Sequence, residues 1–124
     1  MRALVLTILV FASVSVASVV APSAASSITG TASFYGEAYR GKTMANGLPF
    51  DPAALTAASW DFALGARVRV SFGARSVVVT ITDRGPSRRL YQQGRVIDLS
   101  AAAFARLAPL KTGLIEVIIE PQIP

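Results

Sequence analysis

The strongest constraint on the fold is a pair of short segments, 66–72 and 76–82, separated only by Gly73-Ala74-Arg75. Segment 66–72 (ARVRVSF) alternates polar and apolar residues, which predicts a half-buried strand with Val68, Val70 and Phe72 facing inward. Segment 76–82 is rich in apolar and β-branched residues, so the two segments and the glycine-containing turn between them predict a β-hairpin.

Other short segments extend this pattern to the rest of the chain. Segments 28–36, 96–97 and 114–119 read as strands, 55–58 is a short apolar run, and 37–52 and 87–94 read as loops. One alanine-rich helix is predicted at 101–107, capped by Asp98 or Ser100. Because closing such short strands into a barrel removes their exposed edges, the pattern predicts a mainly β barrel in one domain.

The first 25 residues have the layout of a secretory signal peptide. Arg2 is followed by an apolar run at 3–20, and then by small residues that predict cleavage after Ala25. The alternative is an uncut membrane anchor, since the run is about long enough to span a bilayer. The small-residue site favours cleavage, leaving a domain at 26–124 that is exported to the periplasm or cell wall without a stable membrane anchor.

Cysteine and histidine are both absent from the 124 residues. Their absence excludes a thiolate nucleophile, a serine–histidine triad and the usual zinc ligand sets. Any chemistry must come from Asp, Glu, Tyr, Ser, Thr or Lys, and we expect no metal and no cofactor.

The formal net charge is +5, and the cations concentrate at Arg84, Arg88, Arg89 and Arg95. An exported basic domain suits an anionic envelope polymer or membrane surface, whereas nucleic acid is a poor partner for a secreted protein. A solvated basic face that aids solubility explains the charge equally well.

Six segments bring a family into view: GTASFYG (30–36), KTMANGLPFD (42–51), LTAA (55–58), VRV (68–70), VVVTITDRGP (77–86) and RVIDLSAAAF (95–104). In this order and spacing they resemble the double-psi β-barrel domain of the rare lipoprotein A (RlpA)-like family, lytic transglycosylases that cut peptidoglycan. The resemblance implies a six-stranded double-psi β-barrel with one short helix. Expansins and family-45 endoglucanases share that architecture.

The resemblance assigns catalysis to the aspartate of DRGP, here Asp83. At the end of an apolar strand, desolvation is expected to raise the pKa of this carboxyl towards what a general acid needs. From the residues alone, an aspartate that starts a turn before Gly85-Pro86 is the simpler interpretation. Asp98 is the second catalytic candidate, with helix capping as its structural alternative.

Six further residues are candidates for substrate binding. Ser33 and Tyr35 lie on the first strand, where Tyr35 could serve as a sugar platform or pack in the core. Asn46 belongs to a loop that frames the cleft or forms an ordinary turn, and Arg84 follows Asp83. The remaining two, Ser59 and Trp60, mark a departure from the family.

Family members usually carry a histidine after T-A-A, and that histidine is part of their catalytic set. Ser59 occupies its position here, and serine cannot relay a proton near neutral pH as imidazole can. Asp61, two residues after Ser59, could compensate for the missing histidine if it lies on the same face, but we do not assign it that role. Trp60 next to it suits a sugar-stacking surface or a core site.

Two functional hypotheses follow. The first is an exported endolytic peptidoglycan transglycosylase that cleaves MurNAc–GlcNAc bonds of glycan strands, forms 1,6-anhydroMurNAc and uses Asp83 as general acid and base. The second is a non-catalytic, expansin-like glycan-binding module, which Ser59 favours. A secreted effector or inhibitor is a third idea. We favour the enzyme and expect a monomer.

Overall fold

The structure, a computed structural model, describes residues 3, 8–13 and 27–123. The predicted signal peptide, residues 1–25, and its cleavage point after Ala25 fall almost wholly outside the described residues. Within the described ranges, no helix has the length and apolar character needed to cross a bilayer.

The domain is a closed barrel of six strands with two α-helices outside it. The strands are β1 (Ile28–Tyr35), β2 (Thr56–Ala58), β3 (Arg67–Phe72), β4 (Arg75–Asp83), β5 (Arg95–Ser100) and β6 (Ile115–Pro121). The helices are α1 (Arg88–Gln92) and α2 (Ala101–Leu107). The strands pair in the order β1-β5-β2-β4-β3-β6 and close the barrel. This arrangement confirms the predicted six-stranded, mainly β barrel.

Strand pairing is mixed, and the mixture brings distant parts of the chain together. β1 pairs in parallel with β5, and β2 in parallel with β4. The remaining neighbours, β2–β5, β3–β4, β3–β6 and β1–β6, are antiparallel. As a result the C-terminal ends of β2 and β4 lie beside the middle of β5 and the second half of β1, where four sequence-predicted motifs converge.

The core fills the barrel through the period-2 pattern of the strands. Each strand contributes alternate residues that are buried, among them Ala32, Ala57, Val68, Val70, Val79, Ile81, Ile97, Leu99, Val117 and Ile119. Helix α2 adds Phe104 and Leu107 from one side, and the Phe104 ring lies 4.9 Å from that of Phe34. Burial of these side chains is what stabilises a domain of this size.

The predicted hairpin forms with one inaccuracy. Val68 and Val70 are fully buried as expected, but Phe72 is exposed. Phe72 pairs with Arg75 at the end of the hairpin, so only the two residues Gly73 and Ala74 lie outside the ladder. The barrel interior does not extend to this last pair, and the alternation therefore carries Phe72 into solvent.

The predicted secondary structure was wrong at two places: one helix was missed and one strand is longer than expected. The expected loop at 87–94 contains α1, because the Ser87 hydroxyl caps its first turn by accepting the Leu90 amide at 3.4 Å. The expected two-residue strand at 96–97 is the six-residue β5. Asp98 lies inside β5, and Ser100 alone caps α2, with its Oγ accepting the Ala103 amide at 3.2 Å.

Candidate functional site

Four neighbouring strands bring a row of residues together where β2 and β4 end. Ser33 on β1 pairs with Asp98 on β5, Asp98 pairs with Ala58 on β2, and Ala58 pairs with Asp83 on β4. We call these four residues the site row. Because neighbouring strands lie about 4.8 Å apart, the Cα atoms of Asp98 and Asp83 are separated by about 10 Å.

Asp98 points away from the barrel interior and is nevertheless buried. Its neighbours Ile97 and Leu99 belong to the core, so strand alternation directs Asp98 outward, on the same side as Ser33 and Tyr35 of β1. The residue is only 5% exposed. Its Oδ1 accepts a hydrogen bond from the Ser33 hydroxyl. Since Ser100 performs the helix capping, Asp98 has no part in it and is available to the site.

The Tyr35 hydroxyl lies near the Asp98 carboxylate. The ring is held between Tyr39 and Phe50, with ring centroids 5.1 and 5.9 Å away. Burial raises the pKa of Tyr35 far above its ordinary value, and the charge of Asp98, a hydrogen bond to Asp98 and the charge of Asp83 raise it further. The hydroxyl therefore remains protonated and acts as a hydrogen-bond donor at neutral pH.

Gly85 explains why the DRGP turn needs a glycine. Its φ of +154° lies in a region that residues with a side chain rarely adopt. A Cβ built on Gly85 would lie 2.9 Å from the Tyr35 hydroxyl oxygen and 3.6 Å from Asp98 Oδ2. Only glycine lets the backbone that follows Asp83 approach the Tyr35–Asp98 pair so closely.

Asp83 is the last residue of β4 and is half-buried. Its Oδ1 accepts two backbone amides, from Ala45 at 2.9 Å and from Arg84 at 2.8 Å. The other oxygen, Oδ2, has no hydrogen-bond partner among the described residues. The carboxylate is thus fixed through one oxygen, and the second is free to exchange a proton with a ligand.

The loop at 42–51 is attached to the end of β4 next to Asp83. The Asn46 amide donates to the Thr82 carbonyl at 3.2 Å. The Asn46 side chain is exposed, and its Oδ1 accepts the Leu48 amide at 3.0 Å, which forms a local turn. The Asn46 side chain thus forms the ordinary turn that the sequence offered as an alternative, and its backbone joins the loop to the end of β4.

A groove of about 390 Å³ adjoins the Ser33–Asp98 half of the site row, and Asp83 is not among its lining residues. Its lining comprises Ser33, Phe34, Tyr35, Tyr39, Ser87, Leu90, Arg95 and Asp98. Tyr39 is 45% exposed, and its ring lies 5.0 Å from Lys42 Nζ. Sequence reasoning missed Tyr39 and Arg95 as groove residues. Arg95 could have been found, because it begins the same RVIDLS segment that supplies Asp98.

Ser59, Trp60 and Arg84 are not among the residues that line the groove. The Arg84 guanidinium donates through Nη1 to the carbonyls of Ser59 at 2.8 Å and Phe62 at 2.6 Å. It therefore turns away from the Asp83 carboxylate and fastens the 59–62 segment. This contact gives Arg84 a structural role in place of the predicted contact with substrate.

The 59–62 segment is held by three more contacts. Trp60 Nε1 donates to the Pro86 carbonyl at 2.5 Å, and the Arg88 guanidinium lies 3.8 Å from the centre of the Trp60 ring. The Tyr91 hydroxyl donates to Asp61 Oδ1 at 2.6 Å. We call this group, with Arg84 and Ser59, the clasp. One face of Trp60 is covered by Arg88, which leaves that face unavailable to a sugar.

Ser59 is fully buried within the clasp. Its Oγ accepts the Asp61 amide at 3.1 Å, and its own amide donates to the Asp83 carbonyl at 3.1 Å. Position 59 thus adjoins the Asp83 backbone, but the serine side chain does not reach the groove. The predicted contact of Ser59 with substrate is inconsistent with this burial.

Acidic groups are too dispersed to form a metal centre in the described part of the chain. Among those residues, no group of three or more His, Cys, Asp or Glu side chains could hold an ion. The polar groups that the site does bring close together are the carboxylates of Asp83 and Asp98 and the hydroxyls of Ser33 and Tyr35.

Comparison with known proteins gives a consistent result. A family model described as "Lytic transglycolase" matches residues 27–119. The chain is 45% identical over 98 residues to a probable endolytic peptidoglycan transglycosylase RlpA of Nostoc sp., covering 76% of this chain and 25% of that protein. It is 51% identical over 80 residues to the endolytic peptidoglycan transglycosylase RlpA of Yersinia pestis, covering 63% and 21%. The chain thus spans about a quarter of the length of these relatives.

Solved structures share the fold. The Streptomyces papain inhibitor superposes with a TM-score of 0.62 and 29% identity, covering 78% of this chain and 94% of that one. An expansin of Clavibacter michiganensis superposes with a TM-score of 0.60 and 23% identity, covering 78% and 50%. The likeness to the expansin concerns the barrel alone.

Proposed function

Because this chain belongs to the RlpA-like lytic transglycolase family of double-psi β-barrels, we propose that it is an exported lytic transglycosylase acting on peptidoglycan glycan strands. The observation that carries the proposal is the Asp83 carboxylate, half-buried at the end of β4 and held through Oδ1 by two backbone amides. A carboxyl group fixed in this way, with one oxygen left for a ligand, suits general acid and base catalysis.

The proposed reaction needs only one carboxyl group to move the proton. Asp83 donates its proton to the glycosidic oxygen between MurNAc and GlcNAc as the bond from that oxygen to C1 of MurNAc breaks. The resulting carboxylate then takes the proton of the C6 hydroxyl of the same MurNAc while O6 bonds to C1. The products are a 1,6-anhydroMurNAc end and a GlcNAc end, and Asp83 is again protonated.

The substrate's own hydroxyl replaces a bound water in this scheme. An attacking group already attached to the reacting sugar has a high effective molarity, so the protein does not have to position a separate nucleophile. Hydrolysis by an activated water usually requires a second carboxyl group as base or nucleophile. The scheme therefore fits a site in which Asp98 is buried and bonded to Ser33.

Asp98 supports the site without exchanging the proton in this proposal. Its carboxylate is covered by Ser33 and by the Tyr35–Gly85 contact, so direct access for a sugar oxygen is limited. We assign to it the orientation of these two hydroxyls at the groove wall. The negative charge of Asp98 also faces the cationic sugar C1 that develops when the glycosidic bond breaks, and stabilises it electrostatically.

The test is digestion of peptide-free glycan strands by the wild type, Asp83→Asn and Asp61→Asn, scored for 1,6-anhydromuramic ends. We expect Asp83→Asn to slow the reaction by about 10²- to 10⁴-fold, the usual contribution of general acid–base catalysis. Asp61→Asn is the matched control, because Asp61 lies in the clasp and bonds only to Tyr91 through its side chain. An Asp83→Asn rate equal to that of the control contradicts the assignment.

The second candidate function is glycan binding without catalysis. It is favoured by Ser59, since the family histidine is replaced by a buried serine whose hydroxyl is used within the clasp. In that case wild type releases no anhydro ends, yet it is retained on sacculi. Loss of retention in a variant of the groove residue Arg95, such as Arg95→Gln, would then locate the binding surface.

Inhibition of a protease is a third candidate, favoured by the 29% identity to the Streptomyces papain inhibitor over 94% of that chain. A papain assay with the same purified protein tests it directly. Inhibition that survives Asp83→Asn would separate such an activity from any action on glycan.

A further inference from the structure

We propose that Tyr35 is a positioning residue of this site, whose hydroxyl holds the Asp98 carboxylate and the backbone turn that follows Asp83 in their working arrangement. The proposal rests on the proposed function and adds to it a group that supports the two carboxylates. It assigns the role to the hydroxyl of Tyr35 and not to its ring.

The geometry places the hydroxyl of Tyr35 between two parts of the site. Its oxygen lies 2.9 Å from the point where a Gly85 Cβ would be, and Asp98 Oδ2 lies 3.6 Å from the same point. The backbone of the turn therefore contacts the hydroxyl on one side and the carboxylate on another. Gly85 is two residues after Asp83, so a shift of this turn would displace the proposed acid.

The charged and titratable groups around Tyr35 come from three elements. Asp98 on β5 and Asp83 on β4 act on the hydroxyl chiefly through their charges, and Tyr39, in a short 3₁₀ helix at Glu37–Tyr39, acts through its own hydroxyl. Arg95 lines the same groove. With burial, the two carboxylates keep the hydroxyl protonated, so Tyr35 serves as a donor and cannot act as a base near neutral pH.

The ring of Tyr35 is already occupied by packing. Tyr39 lies against it at 5.1 Å and Phe50 at 5.9 Å, the latter edge to face. These contacts fix the direction of the hydroxyl and leave Tyr39, which is 45% exposed, as the aromatic side chain open to the groove. We therefore assign to the Tyr35 ring the packing that orients its hydroxyl, in place of a role as a sugar platform.

Without this hydroxyl, Asp98 keeps only the Ser33 hydrogen bond among the contacts described here. Phenylalanine at position 35 preserves the ring packing but removes the donor between Asp98 and the turn. A small displacement of catalytic groups reduces the rate more than the affinity for substrate. We therefore expect Tyr35→Phe to lower kcat by about tenfold or more and to change KM by less than about twofold.

The matched control is Tyr91→Phe. It removes another tyrosine hydroxyl that donates to an aspartate, at 2.6 Å from Asp61, but in the clasp outside the groove. We expect wild-type kcat and KM for Tyr91→Phe. If Tyr35→Phe has the same kcat as Tyr91→Phe, the proposal is overturned.

A spectroscopic titration tests the contact independently of catalysis. The chain has three tyrosines, so in a Tyr39→Phe/Tyr91→Phe background the alkaline absorbance change reports Tyr35 alone. Adding Asp98→Asn is expected to move this change to lower pH, because the Asp98 charge that opposes ionisation is gone. No movement means that the two groups do not interact, and it overturns the proposal.

If the wild type releases no anhydro ends, the proposed function fails and the proposal is judged on binding. The Kd for peptide-free strands then replaces kcat. At least about tenfold weaker binding by Tyr35→Phe than by Tyr91→Phe supports a positioning role for the hydroxyl. Equal affinities overturn it.

Discussion

The groove and the clasp both include residues of helix α1 and use similar residues for different ends. In the groove, Ser33 donates to Asp98, and the Tyr35 hydroxyl and the Asp98 carboxylate lie against the same glycine turn beside an open volume. In the clasp, Arg84 binds two backbone carbonyls, and Trp60 binds a third. Polar side chains of the groove therefore line a cavity, whereas those of the clasp form hydrogen bonds that connect one loop to another.

This difference shows that residue type alone does not identify a functional group. A tyrosine hydroxyl lies close to an aspartate carboxylate in both regions, Tyr35 near Asp98 and Tyr91 hydrogen-bonded to Asp61. Only the first pair is buried next to the catalytic candidate and the glycine turn. The second is at the surface, where solvent competes for the same hydrogen bonds.

The largest expected difference between the groove and the clasp is in the loss of stability when an aspartate of each is replaced by alanine. Asp98→Ala leaves the half-buried Ser33 hydroxyl without its acceptor, removes the buried carboxylate beside the half-buried Tyr35 hydroxyl, and opens a small void. We expect this to lower the free energy of unfolding by about 2–4 kcal/mol. Asp61→Ala removes an exposed partner of Tyr91 and should cost only about 0.5 kcal/mol.

Urea unfolding of both variants, with wild type as reference, measures the two values. Equal losses would mean that the carboxylate of Asp98 is as easily replaced by water as that of Asp61. The groove and the clasp would then not differ in the way their burial indicates.

Much of the fold could be predicted from the sequence because strand periodicity is a local property. The alternation at 66–72 placed Val68 and Val70 correctly, and it failed at Phe72 because the end of the barrel is set by tertiary closure. Helix α1 was missed since its five residues, RRLYQ, have no apolar face long enough to show helical periodicity. The Ser87 cap that starts it becomes evident only with the three-dimensional structure.

The candidate site was predicted only in part, for a similar reason. DRGP and RVIDLS pointed to Asp83 and Asp98, but their meeting across Ala58 depends on parallel and antiparallel pairing of strands far apart in sequence. Ser59 was assigned to substrate because it occupies the family histidine position, Trp60 because an indole ring suits sugar stacking, and Arg84 because it follows Asp83. Their hydrogen bonds to backbone carbonyls depend on loop conformation, which no local pattern encodes.

The two tyrosine–aspartate pairs should also differ in how strongly the free energy of unfolding depends on alkaline pH. This difference is expected to be smaller than that between the two alanine variants. The folded state raises the pKa of Tyr35 above the ordinary value of 10.0, so above pH 10 the unfolded chain binds fewer protons than the folded one. Stability from this group is therefore complete below pH 10 and falls as pH rises further. The slope is at most about 1.4 kcal/mol per pH unit, and smaller to the extent that solvent screens the partly exposed ring.

The measurement is the unfolding free energy from pH 9 to 11 for wild type, Tyr35→Phe and Tyr91→Phe. Tyr35→Phe should flatten the decline. Tyr91 also has a raised pKa, chiefly through its hydrogen bond to Asp61, but it is more exposed, and Tyr91→Phe should leave most of the decline in place. A decline that disappears only in Tyr91→Phe would reverse the comparison.

The smallest expected effect concerns Arg88, whose guanidinium covers the Trp60 ring at 3.8 Å. Arg88→Gln removes an exposed cation–π contact and should cost about 0.5–1 kcal/mol. Trp60 is the single tryptophan of the chain, so its emission should shift to longer wavelength as water reaches the ring. Because the clasp is placed outside the groove, glycan cleavage should stay within about twofold of wild type. If Arg88→Gln instead weakens or strengthens glycan binding severalfold while stability changes little, the Trp60 face belongs to the ligand surface, and the boundary drawn between groove and clasp is wrong.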